Sequence, residues 1–291
     1  MSRIEVRAFR GSLPAEYGGL TPPELRPLLH RLPEDCLALG ASLSGRPIGL
    51  AVAELKKAAR GAKLLALAID KSYRRRGIGR QLYSMLETLL RRKLVVAVTA
   101  EYLAEADAGE AESAFLTACG FVSPAPVIRI WSGPLRISET LPWTDRLRLP
   151  DGFACSPWST LTSQERAAIA RGYGDDYPPI LDPFAEEERI DPERSLVLRH
   201  LGAPIGWMIL EQFDARTVLF KSMFVQRRYQ RMSRGIALSI EAFRRLIREG
   251  SYEEAIFYVE EQNAGMVRFL SRRADSPGIR KQLLWQTSKP L

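Results

Sequence analysis

Residues 64–90 read LLALAIDKSYRRRGIGRQLYSMLETLL, and the rest of the chain is parsed outward from them. The apolar run from Leu64 to Ile69 has the length and composition of a buried strand. A basic turn follows, Arg74-Arg75-Arg76-Gly77-Ile78-Gly79. It opens into a segment whose apolar residues Ile78, Leu82, Met85, Leu86 and Leu89 recur at helical spacing. The first N–H groups of such a helix have no partner within it, and the helix dipole adds partial positive charge there, so the turn is laid out to cradle an anion. Gly77 and Gly79 let backbone approach a bulky phosphate. The three arginines add fixed charge with planar donor geometry. A purely structural turn would also fit a bare Gly-x-Gly. Two other phosphate loops fit worse, because the stretch has no Gly-Lys-Ser/Thr and no third glycine.

The segment resembles the acyl-CoA pyrophosphate loop of the GNAT acetyltransferase superfamily: Arg or Gln, two residues, Gly, one residue, then Gly or Ala. Arg74, Gly77 and Gly79 fill that pattern, with Ile69 five residues before the arginine and Tyr73 just before it. The resemblance implies acetyl-CoA, or another acyl-CoA, as cofactor. It implies binding by Ala68, Ile69, Asp70, Arg74, Arg75, Arg76, Gly77, Ile78, Gly79 and Arg80. A backbone N–H near Ala68 to Asp70 would face the thioester carbonyl, and a splay between the fourth and fifth strands would admit the pantetheine arm.

The pattern occurs twice. Pro47-Ile48-Gly49-Leu50-Ala51-Val52-Ala53-Glu54 is echoed by Pro204-Ile205-Gly206-Trp207-Met208-Ile209-Leu210-Glu211. Strand-like stretches 37–42 and 196–200 precede these, and 64–69 and 218–225 follow. Each copy then enters a basic turn, a helix (77–92 and 235–248) and another strand (94–99 and 255–259). This is a long-range repeat of a whole α/β unit. The resemblance therefore extends to a tandem pair of GNAT domains, each an α/β (α+β) fold with a mostly antiparallel twisted sheet flanked by helices. The expected limits are 1–133 for the first domain, 134–150 for a Pro-containing linker and 151–291 for the second. The second loop is irregular. Gly235 and Ala237 match its end, but Met232 stands where Arg or Gln is expected, and Gln230 serves only if the loop carries two extra residues. Arg231, Ser233 and Arg234 are alternative phosphate contacts. Asn263 resembles the asparagine that starts the family's fourth helix.

Bulk properties agree with two soluble domains. The chain has 291 residues, 46% hydrophobic and 26% charged. Three cysteines do not suggest a disulfide framework, and with two histidines they argue against a zinc site. No apolar run is long enough to span a bilayer, the N-terminus lacks a signal-peptide core, and a cytoplasmic home is the expectation. The net charge of +8 reads as solvated arginine-rich helix faces more readily than as a nucleic-acid groove.

Acetyl transfer to an amine requires a base, an oxyanion donor and relief for the leaving thiolate. The family's usual acid is a Tyr four residues before a Gly-Phe, and here Leu116 and Leu270 occupy the equivalent places. Tyr102 is a candidate replacement. Glu54, its repeat equivalent Glu211, and Glu101 are candidate bases, with solvated strand-end charges as the alternative for the first two. Cys119 has no evident base partner, so direct transfer is expected rather than an acyl-cysteine route. Trp131, Trp143 and Trp158 are expected to pack the two domains together. The leading function is an acetyl-CoA-dependent N-acyltransferase with its working site in the first domain, acting on a small-molecule or peptide amine. A non-catalytic acyl-CoA-binding regulator and an aminoacyl transferase using charged RNA are the alternatives.

Overall fold

The computed structural model describes residues 4–230 and 233–291. The chain forms two compact units, residues 1–127 with 283–291, and residues 128–282. The expected division placed the first domain at 1–133 and a linker at 134–150. In the structure residues 128–150 belong to the second unit, with Leu135, Ser138 and Thr144 buried in it. The last nine residues return to the first unit, a destination no local sequence signal marks.

In the first unit, β1 (Ile4–Phe9), β2 (Cys36–Leu43), β3 (Arg46–Lys56) and β4 (Gly61–Ile69) form an antiparallel meander. β5 (Ala97–Glu105) pairs parallel to β4, and β12 (Arg280–Pro290) lies on its other side. Helix α1 (Ile78–Arg92) connects β4 to β5, as a parallel pair demands. It buries Ile78, Leu82, Tyr83, Leu86 and Leu90 against the sheet. Met85, counted in the expected stripe, is 39% exposed, and Tyr83 takes the inward place. The chain turns at Leu94, which has φ +60°, so the fifth strand begins at Ala97 rather than at 94. α2 (Glu110–Ala118) packs Leu116 into the same core. Between β1 and β2, short 3-10 turns cover Ala15–Leu20 and Pro23–Leu29. Leu13, Tyr17 and Leu32, in and around them, join a second core cluster with β2 and β3 residues.

The second unit repeats the scheme. Its sheet runs β6 (Ala125–Pro134, from Ile128 on), β11 (Glu254–Glu260), β10 (Thr217–Val225), β9 (Ala203–Gln212), β8 (Leu196–His200) and β7 (Phe153–Pro157). β10 and β11 are parallel, and α4 (Arg234–Glu249) connects them. α3 (Ser163–Arg171) opens with a capping box between Thr162 and Glu165. The Asn263 side chain accepts from the Met266 N–H and starts α5 (Ala264–Arg273), as its resemblance implied. The three tryptophans expected to pack the halves together are placed within the second unit. Trp158 and Trp131 are buried in its core clusters, and the Trp143 indole donates to the Arg273 carbonyl.

Candidate active site

β4 and β5 pair only from Gly61–Ala97 to Leu64–Ala100. Beyond that point the strands separate. The ladder with β3 fixes what the separation exposes. The Asp70 N–H donates to the Ile48 carbonyl, and Ala68 faces Leu50 two residues back. In an antiparallel ladder, hydrogen-bonded residues alternate, so Ala68 and Asp70 direct their backbone groups at β3. Leu67 and Ile69 direct theirs into the splay. Leu65 is the extra residue of a bulge, since Val52 faces Ala66 and Ala53 faces Leu64. The amide proposed to meet a thioester carbonyl moves accordingly. Asp70 has committed its N–H to β3, whereas Leu67 has not.

The open side of Ile69 is used differently. Arg74 Nε donates to the Ile69 carbonyl at 3.1 Å, which draws the loop back over the end of β4. Asp70 caps the intervening turn through the Ser72 N–H at 2.9 Å, with Arg46 3.4 Å away. The Ser72 N–H above all, together with Arg46, holds the Asp70 carboxyl below the usual range. Arg75 and Gly77 have φ +63° and +78°, so the chain doubles back and enters α1 without a side-chain cap. The N–H groups of Ile78, Gly79 and Arg80 are left at the helix start. A Cβ on Gly79 would stand 3.1 Å from the Phe115 ring, so the glycine keeps the helix start close to α2.

These pieces enclose a cleft of about 740 Å³. It is lined by Leu64 to Ile69, by Tyr73, Arg74, Arg75 and Gly77 to Arg80, and across from them by Ala100, Glu101, Tyr102, Glu112 and Phe115. The structure thus brings together the sequence-predicted Ala68, Ile69, Arg74, Arg75, Gly77, Ile78, Gly79, Arg80, Glu101 and Tyr102. Arg76 turns away onto the Tyr73 ring, 5.4 Å from its centroid, and Asp70 serves the turn rather than the cleft wall. Glu54 lies outside. It faces Lys63 in the closed part of the sheet, before the splay begins, and pairs with Lys56 at 2.7 Å. Glu211, its repeat equivalent, is buried between Arg189 and Lys221, at 2.5 and 3.1 Å.

Glu101 stands at the cleft wall with both oxygens engaged. Lys63 Nζ donates to Oε2 at 2.6 Å, and Gln286 Nε2 donates to Oε1 at 3.1 Å. Beside it the Tyr102 hydroxyl donates to the Gly109 carbonyl at 3.4 Å, and burial pushes its phenol pKa above the ordinary value. Leu116 is buried in the core where the family's usual acid would stand. Burial also raises the Cys119 thiol pKa, which leaves it a poor nucleophile. Lys63, Phe115 and Glu112 line or support the cleft without having been singled out in the sequence. Their strand and helix neighbours gave only amphipathic patterns.

The second unit copies the carbonyl clamp. Gln230 Nε2 donates to the Val225 carbonyl at 2.9 Å, the counterpart of Arg74 on Ile69, and each donor stands five residues after its acceptor. The Gln226 N–H donates to the Ile205 carbonyl, as Asp70 does to Ile48. The two additional residues therefore fall after Gln230. Arg231 and Met232 lie outside the described residues. β10 and β11 also pair only as far as Phe220–Phe257, and Lys221 occupies the bulge.

Residues 3–121 match the model of the Acetyltransferase (GNAT) family. The first unit is a GNAT domain. No curated protein matches the sequence. Among solved structures, the tandem GNAT protein from the clavulanic acid biosynthesis pathway aligns over 98% of this chain and 98% of its own, at 18% identity and a TM-score of 0.60. A GNAT protein from Sphaerobacter thermophilus aligns over 98% and 96%, at 18% identity and 0.63. One from Kribbella flavida aligns over 84% and 88%, at 14% identity and 0.50. The chain as a whole has the tandem GNAT fold, and the family that its first unit matches is one of acetyltransferases. Among the described residues no group of side chains could hold a metal ion, and no helix is long and apolar enough to cross a membrane.

Proposed function

We propose that the first unit is the working N-acetyltransferase, moving an acetyl group from acetyl-CoA directly to an amine acceptor. The observation that carries this reading is the splay beyond Leu64–Ala100, which leads from the uncapped start of α1 to Glu101 and Tyr102 within one cleft. The cleft fits the cofactor. The N–H groups of Ile78, Gly79 and Arg80, with Arg74 and Arg75, suit its phosphates, and the separated edges of β4 and β5 suit its amide-bearing arm. Bound acetyl-CoA supplies the acetyl group as an activated thioester.

The chain's own residues supply the rest. The Leu67 N–H, unspent by β3, is the donor for the carbonyl oxygen. Glu101 accepts the proton of the amine. Tyr102, whose raised pKa keeps it protonated at neutral pH, is the proton donor on the leaving-group side. Direct attack is favoured because the one thiol packed against this core, Cys119, is held in its neutral form.

Thiol release from acetyl-CoA with a broad amine panel tests the reading. Turnover with at least one amine, lost in Arg74→Ala and kept in Gly235→Trp, is the expected result. Turnover lost only in Gly235→Trp would move the working site to the second unit, and an absence of acetyl-CoA binding would refute the reading altogether.

A further inference from the structure

The last strand of the sequence contributes to the first unit out of sequence order. Residues 283–291 belong to that unit although 155 residues of the second unit (128–282) separate them from its other strands. Two side chains of β12 meet residues of the cleft wall, and a third braces the helices beside it. Gln286 donates to Glu101 Oε1 at 3.1 Å. The Trp285 ring lies parallel to Tyr102, 3° from coplanar, with centroids 6.2 Å apart. Lys289 ties α1 to α2 by pairing with Glu87 and by donating to the Cys119 carbonyl at 2.7 Å. Leu283 and Thr287 are buried, which seats the strand, while Gln286 is exposed and has no packing role.

The two donors on Glu101 come from different strands and different oxygens, so the carboxylate plane is fixed by both together. Lys63 alone, on a flexible four-carbon stem, would leave the carboxylate free to rotate about it. Trp285 acts on Tyr102 by its ring face. Its Nε1 is buried with no hydrogen-bond partner among the described residues, so the indole is held by its area rather than by a polar bond. The Gly109 Cα, at φ +103°, lies so close that an added Cβ would stand 3.4 Å from Trp285 Nε1 and 3.5 Å from Tyr102 Cε2. Gly109 thereby stands against both rings, and its carbonyl accepts the Tyr102 hydroxyl.

We infer that Gln286 and Trp285 are positioning residues for transfer in the first unit, Gln286 orienting the Glu101 carboxylate and Trp285 orienting the Tyr102 ring. The inference rests on the reading that Glu101 and Tyr102 work in this cleft. Glu101 is paired with Lys63 of β4. From β12 it meets the neutral Gln286, with Lys289 of that strand committed to Glu87.

The test uses the full chain with Gln286→Leu, Gln286→Glu, Trp285→Phe and Trp285→Ala. Each Gln286 change is also made in a Glu101→Gln background, kcat and KM are measured by thiol release, and acetyl-CoA affinity is measured by calorimetry on the same samples. Losing this hydrogen bond in Gln286→Leu is expected to lower kcat about three- to tenfold, and Gln286→Glu, which sets a second carboxylate against the first, to lower it further. In the Glu101→Gln background the same Gln286 changes cost nothing further, because the carboxylate they orient is absent. Acetyl-CoA affinity stays within about twofold, because Gln286 does not touch the cradle. Trp285→Phe keeps activity and Trp285→Ala lowers kcat with KM for acetyl-CoA unchanged. Equal kcat in wild type and Gln286→Leu, or an equal loss with and without the Glu101 carboxylate, overturns the Gln286 assignment, and equal kcat in Trp285→Phe and Trp285→Ala overturns that of Trp285. A folded wild type that binds no acetyl-CoA overturns instead the reading of the cleft, and the inference falls with it.

Discussion

Arg74 combines two functions that substitution can separate. Its Nε closes the end of β4 on the Ile69 carbonyl at 3.1 Å, and its guanidinium brings a fixed charge to the start of α1. Arg74→Ala removes both. A hydrogen bond to a charged group contributes about 1.5–3 kcal/mol, so acetyl-CoA affinity is expected to fall roughly ten- to a hundredfold. Arg74→Gln removes the charge alone, because Gln230 shows that a glutamine at this spacing reaches the strand-end carbonyl, at 2.9 Å. Its loss is expected to be smaller, about three- to tenfold, and to shrink as salt screens the phosphates. The clamp contributes little to stability, since a freed Ile69 carbonyl opens onto the cleft and can be hydrated. The melting temperature of either variant should fall by no more than about 2–4 °C, the equivalent of about 1 kcal/mol for a domain of this size. Calorimetric titration in low and high salt, with thermal melts alongside, measures all of these. An alanine variant that binds within threefold of wild type would refute the reasoning, as would a glutamine variant no better than alanine.

Gly77→Ala should destabilise the first unit by about 1–2 kcal/mol in urea unfolding, because φ +78° is costly for a residue with a Cβ. Nothing lies within 4 Å of the added carbon, so the cost is conformational rather than steric. Glu54→Gln should leave kcat within about twofold, the usual range for a surface pair, because its carboxylate pairs with Lys56 outside the cleft. The second unit carries an acid-sensitive pair. Arg199 holds the Glu165 carboxyl down at about 2. A folded-state pKa below the unfolded one gives stability that is complete above the ordinary value of 4.5 and is lost as pH falls toward 2. Urea unfolding of wild type and Glu165→Gln should therefore diverge at pH 6 and converge near pH 2. A constant difference across that range would count against the pair.

The repeat was legible because its residues answer the same physical demand twice. A Cβ on Gly206 would meet the Phe224 carbonyl at 2.4 Å, and one on Gly49 would meet Ile69 at 2.9 Å. The isoleucine before each glycine offers its carbonyl to the first residue after the next strand. Pro-Ile-Gly thus marks where β3 and β9 meet the mouths of their splays. The cradle was legible for a related reason, since helix starts and left-handed turns impose residue types. Glu54 misled because an acid at a strand end looks the same whether the neighbouring strands are paired or parted. The place of parting depends on register and on the bulges at Leu65 and Lys221, which leave no composition signal. Gln286 and Trp285 were beyond reach for a topological reason. Nothing near residue 285 says that its strand lies beside β5.

That placement has a consequence during synthesis. β5 emerges from the ribosome with β4 available on one side, but its other neighbour lies beyond the 155 residues from 128 to 282. At about 5–20 residues per second, making residues 106–282 keeps the edge of β5 waiting roughly 9–35 s for β12. Throughout that interval the nascent chain presents an open strand edge, the kind of surface on which neighbouring chains pair. Slow decoding through the second unit would lengthen the exposure, and a chaperone that covers extended edges would shorten its effect. The order in which the ribosome delivers the chain is thus opposed to the order in which the first sheet must close.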